Sequence, residues 1–266
     1  ERLSKLDLTL ENEAWFVREC SRAGVASMTT AFTIAAAREI KDLGYEAIKI
    51  ASYDCASYPL IREVKKYWSN IFVSTGATYD DEISKTAEIL RGTNFHFLHC
   101  ITLYPTLMED LNLNRISFLR RFTNHVGYSD HTLGTEVPIA AVALGAKIIE
   151  KHFTLDRTLP GPDQLASLEP NELKFMVDSI RNIELAISGS GEKEVSESEM
   201  KNIIVARKSI HLNNAMKAGQ QIQKKDLVMK RPGDGISPMK IDSVIGKIVS
   251  QDLQKDHKLE LKDLKN

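Results

Sequence analysis

Two histidines carry the first chemical question. His131 stands in VGYSDHTLG and His152 in KIIEKHF, 21 residues further on. Each closes an apolar, β-prone run. Neighbouring parallel strands lie about 4.7–4.9 Å apart, so imidazoles ending two such strands reach one ion between them. Two imidazoles suit a divalent transition ion, with its other positions left to water and substrate. The alternative is a buried pair satisfied by backbone or by each other, with no metal. Eleven residues past His152, a rigid Pro160-Gly161-Pro162 turn ends in Asp163. Lys49 sits inside AIKIAS, where burial without a charged partner is costly. It points to an anion, either a ligand phosphate or a protein carboxylate in a structural pair. Thr30, Ser52 and Ser74, on neighbouring strand ends, offer hydroxyls to the same anion. Asp54 and Asp163 are candidate proton-transfer or hydroxyl-binding carboxylates. Arg231, in KRPGDG, is a guanidinium beside a tight turn.

These groups need a frame that gathers strand ends. Six β-prone runs recur: VASMTT (25–30), AIKIAS (47–52), NIFVSTG (70–76), FHFLHCI (95–101), HVGYSDH (125–131) and KIIEKHF (147–153). Helix-like segments lie between them, such as 35–44 before Gly44, 80–92 with acids first and Gly92 last, and the Ala-rich 137–146. Strand alternating with helix at this period predicts βαβ units and a parallel sheet. Polar residues gather at the C-terminal strand ends, among them Thr30, Lys49, Ser52, Ser74, Thr102, Ser129, His131 and His152. That end is the catalytic face of a (β/α)8 barrel. Eight strands close such a barrel and six are found here. Residues 1–24 read as one helix, with Thr9 as N-cap and Gly24 as stop, so either the sheet is open or two strands lie outside this chain.

Residues 165–188 predict a long helix with an apolar stripe. The polar, Gly/Ser/Glu-rich stretch 188–202 predicts a linker. Residues 203–266 predict a small β-rich domain. The barrel part is therefore expected over 1–187. The 266 residues carry a net charge of −1, with a pI near 6.8. That balance gives no electrostatic case for nucleic acid or anionic membrane. No apolar run reaches the roughly 18–20 residues of a membrane span, and the start lacks a signal-peptide core. Cys20, Cys55 and Cys100 are odd in number and widely spaced, the pattern of reduced thiols in a cytoplasmic protein.

The runs KIASYDCASYPLI, VSTGA, LHCITLYPT, GYSDHTLG, EKHFTLD, PGPD, SLEP and KRPGDGISP, in this order, closely resemble the bacterial sialic acid synthases. These are phosphoenolpyruvate-condensing enzymes that make N-acetylneuraminate and related nonulosonates. The resemblance runs through nearly the whole chain. It implies a TIM barrel followed by an antifreeze-like (SAF) domain, in a homodimer whose small domains reach the partner's barrel. It implies condensation of phosphoenolpyruvate, an N-acetylmannosamine-type sugar and water to sialic acid and phosphate, with a divalent ion, Mn2+ foremost and Mg2+ or Co2+ as alternatives.

By the same resemblance His131 and His152 match metal ligands, and Lys49, Thr30, Ser52 and Ser74 match phosphate contacts. Ser129 matches a carboxylate contact, Asp54 the acid after the lysine strand, and Tyr104, Asp163 and Arg231 the sugar side. Thr102 stands where the sialate enzymes commonly carry Asn, and Asp54 is one methylene shorter than the usual Glu. The family's AEIG and KFQ motifs, on two earlier strands, do not occur here. Roughly the first quarter of a family member is thus expected outside this chain, and the chain alone is expected to turn over little. The sugar stays open between N-acetylmannosamine and the diacetamido precursor of legionaminate, with PGPD arguing against the pseudaminate branch. A class II aldolase-like metal lyase and a non-catalytic fragment remain the alternative readings.

Overall fold

The computed structural model describes residues 8–266. The chain opens with helix α1 (Leu10–Ala23). The Thr9 hydroxyl accepts from the Asn12 N–H at its start, and Gly24, at φ +71°, ends it. Only glycine adopts that left-handed conformation without strain.

Six strands then alternate with helices: β1 (Met28–Thr30), α2 (Ile34–Ile40), β2 (Ala47–Ile50), α3 (Tyr58–Val64), β3 (Asn70–Ser74), α4 (Asp80–Leu90), β4 (Asn94–Cys100), α5 (Arg115–Leu119), β5 (Gly127–Asp130), α6 (Glu136–Ala143) and β6 (Ile148–Lys151). All six pair parallel, in chain order. Among the described residues β1 and β6 are the sheet's edges. Each predicted run holds one strand, so the six-of-eight reading of a TIM-type barrel stands, with the sheet curled. The outer face packs Ile71, Val73, Phe97 and Tyr128 against Ile61, Ile83, Leu90, Ile116, Leu119 and Ala141 from the helices.

Two expectations need correction. The long helix α7 (Pro170–Ala186) begins five residues later than predicted. Glu169 caps it together with Glu172, and residues 164–166 form a 3-10 turn instead. The expected linker is partly helical: α8 (Glu197–Ala206) starts inside it. Ser196 accepts from the Glu199 N–H while Glu199 reaches back to the Ser196 N–H, a capping box. A Ser/Glu-rich stretch is polar enough to pass for a linker, yet the same residues nucleate a helix.

The chain divides into two compact units between Gly189 and Ser190. The second unit holds α8 and two antiparallel pairs, β7 (Ser209–Leu212) with β8 (Leu227–Lys230), and β9 (Ile248–Val249) with β10 (Leu264–Lys265), along with the short α9 (Ile241–Val244). Its own core gathers Ile210, Leu212, Ile222, Val249 and Leu259.

Inside the curled sheet Leu98, Gly127 and Ile148 stand in one register row. A Cβ at Gly127 would meet Leu98 Cδ2 at 2.3 Å and the Ile148 Cβ and carbonyl oxygen at 2.8 Å. The strands can curl this tightly only with no side chain there. Gly127→Ala should lower the urea midpoint by the equivalent of about 1–3 kcal/mol of overpacking, and an unchanged midpoint would refute this account of the curvature. A second expectation concerns acid. Burial holds the His96 and His99 imidazoles below their ordinary pKa. In the unfolded chain each takes a proton near pH 6.5, and the folded chain resists. The stability from keeping them neutral is therefore complete above about pH 6.5 and is lost as pH falls below it. The urea midpoint should drop between about pH 7.5 and about pH 5.5, and less so in His99→Gln. Equal slopes in the two proteins would contradict this.

Candidate active site

Side chains alternate faces along a strand, and the register aligns them across the sheet. Cys100, Ser129 and Glu150 form one inward row on β4, β5 and β6. The next row, Asp130 and Lys151, turns to the outer face. His131 and His152 follow, inward again. A cavity of about 360 Å3 opens at these strand ends. Thr30, Lys49, Ser52, Thr102, Tyr104, Ser129, His131 and His152 line it together with Glu150 and Cys100.

Lys49 reaches Glu150 at 3.1 Å. Both readings of that lysine thus meet in one place, since it faces the cavity and pairs with a carboxylate. The second Glu150 oxygen is shielded from solvent and has no hydrogen-bond partner. The Gly76 N–H donates to the Ser52 hydroxyl at 3.2 Å. A Cβ at Gly76 would fall 2.8 Å from Thr102 Cγ2 and 3.0 Å from Ser52 Oγ, so a glycine lets the backbone close on these two side chains.

His131 is buried and donates from Nδ1 to the Ile101 carbonyl at 2.7 Å. That bond fixes the tautomer and leaves the Nε2 lone pair free. Desolvation, offset in part by the Ile101 carbonyl, holds its pKa below the ordinary imidazole value, which favours the neutral form a metal requires. His152 lies with its ring centroid 5.4 Å from that of His131, and the Tyr104 ring stands 4.0 Å and 5.5 Å from the two. Burial pushes the Tyr104 phenol up to about 12, so it stays a hydrogen-bond donor at neutral pH. Asp163 Oδ2 is 3.8 Å from His152 Nδ1. The proline turn therefore presents its carboxylate to the back of an imidazole, outside the cavity wall.

Two further expected residues of the first unit are not brought to this wall. Ser74 pairs in register with Leu98, so it sits one row deeper than Cys100, buried and with an unpartnered hydroxyl. Asp54 ends a 3-10 turn, Ser52–Asp54, that carries it away from the cavity. Burial raises its pKa. Arg231 belongs to the second unit, exposed, with its Nε–H donating to the Ala206 carbonyl at 3.0 Å.

Sequence reasoning missed Glu150. The signal was present, since it lies two residues before His152 on a strand and so shares its face. Among the described residues no three His, Cys, Asp or Glu side chains converge on one point. The donor set fits a cation held by two imidazoles, with its remaining positions open to small molecules. A lysine and several hydroxyls on the opposite wall fit a phosphate. No helix of the described residues is long and apolar enough to cross a membrane.

The chain is similar to known proteins along nearly its whole length. The NeuB family model matches residues 1–193, and the SAF domain model matches residues 207–265. An N,N'-diacetyllegionaminic acid synthase of Campylobacter jejuni is 37% identical over 96% of this chain and 78% of its own length. The human N-acetylneuraminate-9-phosphate synthase is 33% identical over 82% of this chain and 62% of its own. The solved N-acetylneuraminic acid synthetase of Leptospira borgpetersenii superposes with a TM-score of 0.68, at 33% identity, over 74% of this chain and 70% of that one. With the NeuB model over residues 1–193, the SAF model after it and a relative 37% identical over nearly its whole length, this chain belongs to the NeuB family of nonulosonate synthases.

Proposed function

We propose that the chain joins phosphoenolpyruvate to an acetamido sugar aldehyde, with water, giving a nonulosonate and phosphate. The supporting observation is one cavity with a lysine and hydroxyls on one wall and two imidazoles on the other. Lys49, Thr30 and Ser52 hold the phosphate, and Ser129 lies within reach of the carboxylate. This fixes C3 of the enol near the sugar aldehyde. C3 attacks that carbon, water adds at C2, and the C2–O bond to phosphate breaks. His131 and His152 would hold a divalent ion, Mn2+ foremost, whose chemistry is to polarise the aldehyde oxygen. Glu150 has a free carboxylate oxygen to accept a proton or a hydroxyl hydrogen bond as water adds.

The acceptor is N-acetylmannosamine or its diacetamido-trideoxy relative. The names of the Campylobacter and Legionella relatives, 37% and 36% identical over nearly the whole chain, favour the second. Comparing kcat/KM for the two sugars, read as phosphate release, decides between them.

Two outcomes test the site. Protein purified without chelator should carry about one divalent ion per chain, and His152→Ala close to none, with phosphate release lost in parallel. Equal metal and equal activity in both proteins would end the two-imidazole reading. Arg231, on the second unit, is proposed to bind the N-acyl group of the sugar in the partner's barrel of a homodimer. In a full-length protein, Arg231→Ala should raise the sugar KM and leave the phosphoenolpyruvate KM nearly unchanged. Mixing it with His152→Ala subunits should restore one working site per heterodimer. Failure to rescue would show that the unit serves its own barrel.

A further inference from the structure

Behind the two imidazoles, on the outer face, lies a second charged pair. Asp130 and Lys151 are register partners on β5 and β6. Their side chains are 0% and 3% exposed and meet at 2.6 Å. Asp130 is otherwise saturated: its Oδ1 accepts from the Tyr128 hydroxyl at 3.0 Å, the Thr132 N–H at 2.9 Å and the Thr132 hydroxyl at 2.8 Å. Lys151 also donates to the Thr132 carbonyl at 2.7 Å.

Each member immediately precedes a histidine. The Lys151 ammonium therefore grips the chain on both sides of His131, through Asp130 before it and Thr132 after it, while its own backbone leads into His152. Among the described residues β6 pairs with β5 alone. Beyond its end the His152 carbonyl accepts from the Leu168 N–H at 2.9 Å and Phe153 bridges Leu168, which ties down the backbone there but not the ring's distance from His131. A buried ion pair adds little net stability over apolar residues of the same volume, because desolvating both charges offsets their attraction. Its direction and saturation do define a geometry.

We propose that the Asp130–Lys151 pair is a positioning element that sets the separation and aim of His131 and His152. The inference rests on those two rings acting as a pair. It predicts that stability and ring geometry can be pulled apart.

The variants are Asp130→Asn/Lys151→Met, which removes both charges together, and Thr132→Val, which removes one of the bonds holding Asp130. Glu63→Gln is the control, since Glu63 is a buried carboxylate paired with Arg38 at 2.7 Å and Lys66 at 2.6 Å. Three readouts are taken: the urea midpoint, Co2+ affinity from its visible absorption, and the imidazole 15N resonances of metal-free protein. The double variant should keep most of its stability, yet lose about tenfold or more in Co2+ affinity, with both ring signals moved. Thr132→Val should shift affinity and rings the same way by less. Glu63→Gln should lose stability with both unchanged. Should the double variant not fold, Thr132→Val decides. Wild-type affinity and unmoved rings in whichever variant decides would overturn the proposal. Absence of Co2+ binding by the wild type would refute the metal reading instead, and the ring resonances would still decide the role of the pair.

Discussion

The site depends on a contact that a flat sheet could not make. Lys49 on β2 and Glu150 on β6 are 3.1 Å apart, although three strands lie between them. Four strand spacings in a flat sheet amount to about 19 Å, beyond the combined reach of a lysine and a glutamate. The ion pair therefore measures the curl. Gly127 permits it, because the inward row at that depth leaves no volume for a side chain between Leu98 and Ile148. With the sheet curled, ends of strands far apart in sequence face one cavity, and the lysine wall comes opposite the imidazole wall.

Alternation then separates the tasks. Inward rows carry the groups that can meet a ligand, and the outward row between them carries the pair that ties β5 to β6. His99 shows the same logic from the other side. It stands at a strand end like its neighbours, yet its parity turns it outward, where its Nε2–H donates to the Leu111 carbonyl at 2.6 Å. A polar residue at a strand end is thus a site residue only if its parity is right.

Much of this was legible in the sequence. The six strands follow from the period of the apolar runs, and the imidazole pair from adjacent strands. What stayed hidden had physical causes. Ser74 looks equivalent to Ser52, yet its hydroxyl is buried and without a hydrogen-bond partner, off the cavity wall. Glu150 stands in a run whose other features drew the eye to the histidine, and its pairing with Lys49 depends on curvature that no local pattern encodes. Asp54 depends on a 3-10 turn of three residues, and the sense of so short a turn is not set by composition. The helix inside the expected linker was encoded, but in a capping box whose residues are also typical of linkers.

The two lysine–carboxylate pairs also differ in a way that assigns their roles. Asp130 and Lys151 are nearly fully buried, and Asp130 has both oxygens engaged and its aspartate held by four donors in all. Opening that pair would strand a charge in a dry interior, at a cost of several kcal/mol. Lys49 and Glu150 share a single longer contact, are 14% and 34% exposed, and border the cavity. In the proposed reaction a phosphate dianion beside Lys49 would bring more charge than a carboxylate and several acceptor oxygens. The first pair is therefore built to hold still. The second is held by one contact at the edge of the cavity and is far less constrained.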